Sequence, residues 1–192
     1  MRIALIVGHP DPGGNRFAHA LARAYAEGAR AAGHALRELD VARIEFPLLR
    51  TREDWEAPPP ASIREGEEAI LWAEHIVLFF PLWLGTMPAL LKAFLEQALR
   101  PGFAIGTVEE GKRWVRLLEG RSARLVVTMG MPAFIYRWYF GSHGLKGLER
   151  NVLKFCGIRP VRETLIGNVE GCGQARREQW LASLRALGAA GS

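Results

Sequence analysis

The sequence predicts an α/β protein built on one doubly wound, five-stranded parallel sheet of order 2-1-3-4-5. A ligand is expected at the sheet end where that order reverses. Three observations predict this. Short apolar runs alternate along the chain with longer segments of helical period. The run from His75 to Phe80 has no polar alternation, as in a central strand buried on both faces. Two strands pass through glycine- or proline-containing loops directly into helices, the layout of parallel crossovers.

Composition narrows the class. A chain of 192 residues, 49% of them apolar, is sized for one domain with a large core, expected here over residues 1–192. No segment approaches the length of a membrane span, so no integral membrane segment is expected. The opening residues lack the apolar core and small-residue cleavage site of a signal peptide, which points to the cytoplasm. The two cysteines, Cys156 and Cys172, have neither C-x-x-C spacing nor a histidine cluster, so no zinc site or disulfide framework is expected. The formal charge of +5 is dispersed and mixed with acids, without a basic run or a nucleic-acid-binding motif. Nucleic acid is therefore not an expected partner, whereas a basic surface suits anionic small molecules.

Taken in order, residues 2–7 read as the first strand and 8–16 as a loop dense in turn formers. A helix follows over about 17–32. Strand, glycine loop and helix together present backbone N–H groups and a positive helix end to an anion, and Asn15 and Arg16 add side-chain donors. The loop matches neither G-x-G-x-x-G nor a P-loop, and by itself it reads equally as a plain connecting turn. Residues 35–41 form the second strand. Residues 43–60, with three consecutive prolines, read as an irregular surface excursion.

From Ser62 a helix carries Ile63, Ala69, Ile70 and Ala73 inward. The central strand follows and is expected to stop at Pro81, which has no N–H for the ladder. After the loop Leu82-Trp83-Leu84-Gly85-Thr86, Thr86 is placed to cap a helix with Pro88 in its first turn and an apolar stripe of Leu90, Leu91, Phe94, Leu95 and Leu99. Residues 100–106 break that helix, and 107–121 read as a flap, a short helix or a hairpin. The fourth strand covers 123–128, and an aromatic run follows at 134–140. A helix over 145–155, a last strand ending near Ile166 and a helix over 174–187 complete the pattern, with a frayed tail at 188–192. Cys156 reads as a small buried apolar residue, and the Ser142 region is no serine-hydrolase elbow.

The segment from Pro81 to Phe94 resembles the flavin-contacting segment of the NAD(P)H:quinone oxidoreductases, a flavodoxin-like flavoprotein family that includes the bacterial quinone reductases and the flavoproteins associated with potassium efflux. The match runs through Pro81, Leu82, Gly85, Pro88, Leu91, Lys92 and Phe94. His9 matches the histidine that follows the family's first strand, Phe17 with Ala-His-Ala-Leu matches its helix entry, and Phe155-Cys156-Gly157 recurs late in the chain. The resemblance covers nearly the whole chain, although the loop after the first strand is somewhat longer than in better-known members.

The resemblance implies a flavin, FMN or alternatively FAD, with NADH or NADPH as electron donor and a quinone or similar acceptor served in a two-step exchange. FMN is favoured because no separate adenosine-binding segment is evident. The site residues it implies are His9, Asn15, Arg16 and Phe17 at the phosphate, and Pro81, Leu82, Trp83 and Leu84 along the isoalloxazine. Thr128, Met129 and Gly130 would serve the pyrimidine side, where Tyr136 and His143 are the implied donors for the charge that reduction brings. Tyr136 keeps the family spacing from Thr128, His143 is displaced by one residue, and Tyr139 competes with them. A homodimer with the site at its interface is also implied. The alternatives are an electron-transfer or regulatory flavin-binding subunit, and a flavin-free interaction module on the same fold. Carrier flavodoxins are usually acidic, which the charge of +5 argues against.

Overall fold

The computed structural model describes residues 1–106 and 115–192. The described residues form one five-stranded sheet of order β2-β1-β3-β4-β5, every neighbouring pair parallel, as expected. Its strands are β1 (Arg2–Val7), β2 (Ala35–Asp40), β3 (His75–Pro81), β4 (Ser122–Thr128) and β5 (Val161–Ile166). The α-helices between them are α1 (Phe17–Ala31), α2 (Arg52–Glu56), α3 (Ala61–Trp72), α4 (Ala89–Ala98), α5 (Ala133–Trp138), α6 (His143–Gly147) and α7 (Lys154–Cys156), and α8 (Gln174–Ala190) follows β5.

The lack of alternation in β3 follows from burial on both faces. Ile76, Leu78 and Phe80 join one core with Ile63 and Ile70 of α3 and Leu91, Phe94 and Leu95 of α4. Val77 and Phe79 join the other, with Leu21 and Tyr25 of α1 and Leu184 of α8. β3 also runs one residue further than the sequence suggests, since Pro81 pairs with Thr128 at its last rung. Alternate residues of a strand face the same neighbour. Gly8 donates to the Phe79 carbonyl (2.7 Å) and Leu82 to the Thr128 carbonyl (2.7 Å). The missing donor of Pro81 therefore points to the side where β1 has already ended, and nothing is lost there.

Two glycines set the closeness of α1 and α8. A Cβ on Gly28 would lie 1.9 Å from the Arg185 carbonyl oxygen, and one on Gly188 would lie 2.0 Å from that of Tyr25. The expected frayed tail is accordingly absent. α8 continues through Gly188 to Ala190, and Gly191 (φ 64°) closes it, with the Ser192 N–H on the Leu187 carbonyl at 3.1 Å. That is the bond pattern of a Schellman end.

The excursion at 43–60 holds a helix that the sequence reading passed over. Thr51 and Asp54 make a reciprocal capping box around α2, the Asp54 N–H on Thr51 Oγ1 at 3.1 Å and the Thr51 N–H on Asp54 Oδ2 at 3.0 Å. The excursion is tied down by Gln97 Nε2 on the Pro47 carbonyl (2.6 Å) and Arg100 Nη1 on the Asp54 carbonyl (2.8 Å). Of the stretch 107–121, residues 107–114 lie outside the described residues. The remainder bridges Arg116 to Ile105 in antiparallel fashion and buries Leu118. The helix expected over 145–155 is a helical run through α6, a π-helical turn at Leu148–Leu153 and α7, closed by Gly157 at φ 104°.

Candidate functional site

The carboxyl ends of β1, β3 and β4 open into a cleft of about 800 Å³. It lies at the reversal of strand order, where ligands of open parallel sheets bind. The cleft brings together ten of the sequence-expected residues from three loops: His9, Asn15, Arg16 and Phe17; Pro81, Leu82 and Trp83; and Thr128, Met129 and Gly130.

Asp11 organises the first loop. Its Oδ1 accepts the Gly13 N–H at 2.9 Å and its Oδ2 meets Arg16 Nε at 2.6 Å. The Gly13 N–H first, and Arg16 next, hold its carboxyl below the usual range. The Asp11 N–H donates to His9 Nδ1 at 3.0 Å. A neutral imidazole accepting at Nδ1 carries its proton on Nε2, a donor without an acceptor among the described residues. Burial, then the neighbouring His19, keep the His9 pKa low and the ring neutral. The rings of His19 and Trp83 stand 5.2 and 6.3 Å away, centre to centre. His19 is buried with neither nitrogen hydrogen-bonded among the described residues, and burial lowers its pKa as well.

The second loop is a two-residue turn. Trp83 and Thr86 exchange both backbone hydrogen bonds (2.9 and 3.0 Å), with Leu84 at φ 47° and Gly85 at φ 80° between them. Positive φ at both central positions defines a type I′ turn, which suits Gly85 and strains Leu84. Thr86 is therefore occupied by the turn and does not cap α4. Pro88 takes the N-cap position, without a side-chain cap bond. The turn leaves Trp83 half-exposed at the cleft wall and Leu84 fully exposed at its tip, outside the cleft.

Tyr136 and His143 also lie outside the cleft lining of this single chain. Tyr136 is buried under the turn, its hydroxyl donating to the Gly85 carbonyl at 2.8 Å and accepting the Leu145 N–H at 3.4 Å. Burial raises its pKa. Close packing continues at Gly144, where a Cβ would lie 2.1 Å from the same carbonyl. His143 is exposed at the start of α6. Around it the aromatic run behaves as expected apart from Tyr136: Phe134, Trp138, Tyr139 and Phe140 are all exposed.

Several lining residues went unread in the sequence. Asp11 sits among turn formers and looked like one more of them. Arg177, Val169 and Glu170 come from the end of the chain. Arg177 Nη2 donates to the Val169 carbonyl at 2.7 Å, and its guanidinium lies 5.2 Å from the centre of the Phe17 ring. Only the packing of α8 on α1 brings it there, although its place in the first turn of α8 was readable. Cys156 is buried, its thiol pushed up to about 11 by burial, and both cysteines are free. No helix among the described residues is long and apolar enough to cross a membrane.

The sequence pattern of one protein family, described as having a flavodoxin-like fold, matches residues 1–188. The chain is 27% identical over 179 residues to a ribosyldihydronicotinamide dehydrogenase-like protein of Penicillium crustosum, covering 80% of this chain and 65% of that one. It is 29% identical over 114 residues to an FMN-dependent NADH:quinone oxidoreductase of Burkholderia lata, covering 58% and 52%. The chain thus spans 52% and 65% of the lengths of these two curated relatives. Among solved structures, a putative quinone reductase from Klebsiella pneumoniae superposes with a TM-score of 0.84 at 22% identity, covering 97% of this chain and 83% of that one.

Proposed function

The chain belongs to the Flavodoxin_2 family, whose fold is flavodoxin-like, and on that footing we propose that it is an FMN-dependent NAD(P)H dehydrogenase that passes electrons to quinones or related acceptors. The observation that carries this reading is the cleft itself. Cationic and neutral donors (Arg16, Arg177, Asn15 and His9 Nε2) gather beside Phe17, while Pro81, Leu82 and Trp83 offer an apolar wall. One end suits a phosphate and the other a flat aromatic ring, and the volume is in the usual range for a ligand pocket. FMN requires that combination. The FMN-dependent relative in Burkholderia lata supports the choice of FMN over FAD.

When bound, a flavin supplies two-electron transfer between nicotinamide and acceptor. The residues of the chain bind and orient it. The start of α1, with its backbone N–H groups, would hold the phosphate together with Asn15 and Arg16, and Arg177, over Phe17, would close the same end. Trp83, at the start of the strained turn, would pack against the ring, and Thr128, Met129 and Gly130, which line the same cleft, would hold it from β4. Nicotinamide and acceptor would then be served in turn from the same cleft. Tyr136 fixes the turn through the Gly85 carbonyl.

We place Tyr136 and His143 on the pyrimidine side, in a site completed by a second copy of the chain: His143 as the donor for charge arising there, and Tyr136, whose one hydroxyl proton goes to the Gly85 carbonyl, as the group that positions the turn beside it. The exposed Phe134, Trp138 and Tyr139 beside them suit burial in that homodimer, which sedimentation velocity would detect. Two unpaired cysteines suit the reducing cytoplasm.

The test is direct. Purified protein should take up FMN stoichiometrically and then oxidise NADH or NADPH only when a quinone is present. FMN uptake with no quinone-dependent oxidation would favour an electron-transfer subunit. Absence of uptake would reject the reading.

A further inference from the structure

A second cleft, of about 590 Å³, lies at the opposite end of the sheet, lined by Arg116, Arg150, Lys154 and Arg159 with Phe155 and Pro160. Among the described residues, four of the six that line it are cationic and none is acidic. Arg159 and Pro160 lead into the start of β5, whereas the first cleft lies at the end where Thr128 pairs with Ile166. A strand of this length separates the two by roughly 20 Å.

Backbone hydrogen bonds hold the four cations together. Arg116 is bridged to Ile105, and the flanking Leu117 and Leu118 N–H groups bond to the carbonyls of Ala104 and Cys156, both at 3.1 Å. The Arg159 N–H bonds to the Arg121 carbonyl at 2.8 Å. Arg150 and Lys154 lie four residues apart on one helical face, an arrangement that repels like charges. Arg150 also falls within the π-helical turn, a distortion that recurs at functional sites. Lys154 is paired with Glu149 at 2.6 Å. The side chains of Arg116, Arg150 and Arg159 make no hydrogen bond or ion pair among the described residues. Glu119 packs beside Arg116 against Gly157 without pairing to it.

Three guanidinium forks that line one concave site and have no partner among the described residues constitute an arrangement for several phosphate oxygens at once, since each fork matches two of them. We propose that this cleft is a second ligand site, for a compact molecule carrying two linked phosphate groups. A single phosphate would engage too few of the forks. A nucleic-acid backbone would call for an extended basic track, not a bounded cleft. The diphosphate could be free or part of a nucleotide, and the experiment separates these sources.

Pyrophosphate, orthophosphate and ADP are titrated calorimetrically into the protein, with and without excess FMN. The expected result is one pyrophosphate site, at least tenfold tighter than orthophosphate and unaffected by FMN. ADP binding as pyrophosphate does would assign recognition to the diphosphate alone; tighter binding would assign it to a nucleotide. Arg150→Glu and Arg159→Glu should each weaken pyrophosphate at least tenfold, whereas Arg177→Ala, in the other cleft, should leave it unchanged. If the charge reversals do not fold, Arg150→Ala and Arg159→Ala only shorten exposed side chains and should show the same loss in smaller measure. Displacement of pyrophosphate by FMN, equal binding of orthophosphate, or affinity unchanged in the folded variants would overturn the proposal. A protein that ignores FMN altogether would leave this test intact while rejecting the flavin reading.

Discussion

His9 is set up as a donor by what its other nitrogen accepts, and the same logic runs through the residues around the main cleft. The Asp11 N–H occupies Nδ1, Asp11 itself is held by Gly13 and Arg16, and the loop arrives with its Nε2 proton already placed. Trp83 is different: half of it is exposed and little of the core depends on it. Trp83→Ala should therefore weaken FMN by about 1–3 kcal/mol, the scale of a lost aromatic contact, while thermal unfolding stays nearly unchanged. Fluorescence titration and a melting curve check both halves. Tyr136→Phe should do the reverse. It leaves the Gly85 carbonyl without its donor, so it should cost about 1–2 kcal/mol of stability and slow anaerobic reduction by NAD(P)H as well. Slowed reduction without any loss of stability would mean that the hydroxyl acts on the flavin directly. His75 supplies a pH prediction. It is buried in β3, Nδ1 is 2.7 Å from Ser122 Oγ, and burial, then Arg124 and Arg162, push its pKa down to about 4. Above pH 6.5 both folded and unfolded forms are neutral there. As pH falls from 6.5 toward 4, only the unfolded chain takes up the proton, so stability declines across that window by up to about 3 kcal/mol. Urea melts between pH 4 and 7 should show that slope, and His75→Gln should flatten it.

The elements differ in how plainly the sequence announces them. β3 and α4 were readable because an unbroken apolar run and a helical stripe have few other solutions. The α2 helix was hidden by its proline-rich surroundings, although Thr51 and Asp54 carry the spacing of a capping box. Thr86 resembled a cap only because its commitment to the Trp83 turn is a backbone matter that side-chain preferences do not encode. The end of α8 was misread for a related reason. Gly188 signals a helix end in isolation, but here it admits the Tyr25 carbonyl of the crossing helix. Gly28→Ala should therefore destabilise the protein by about 1–3 kcal/mol through overpacking, even against the gain in helix propensity. Gly147 has nothing within 4 Å of an added Cβ, so Gly147→Ala should stabilise by about 0.5–1 kcal/mol. Urea denaturation of the two variants makes the comparison, and equal effects would remove the crossing argument.

Across the whole molecule, the order β2-β1-β3-β4-β5 collects three strand ends at one edge, and this is why so much of the main cleft could be anticipated from loops far apart in sequence. Residues at or just after a strand end, such as His9, Trp83 and Thr128 to Gly130, inherit their position from the sheet. Arg177 does not. Its place depends on how α8 lies against α1, a packing relation with no local signature. Leu84, Tyr136 and His143 likewise depend on side-chain direction and on what covers the α5–α6 surface. The net charge of +5 fits anionic ligands at both ends of the sheet. The central claim is that the cleft at the ends of β1, β3 and β4 holds a working flavin. Its most direct test is the flavin absorbance of FMN-loaded protein under anaerobic conditions, first with NADH or NADPH and then with a quinone. The account predicts bleaching on addition of the nicotinamide and full recovery on addition of the quinone. Protein that takes up no FMN, or whose flavin band ignores both nicotinamides, would contradict it.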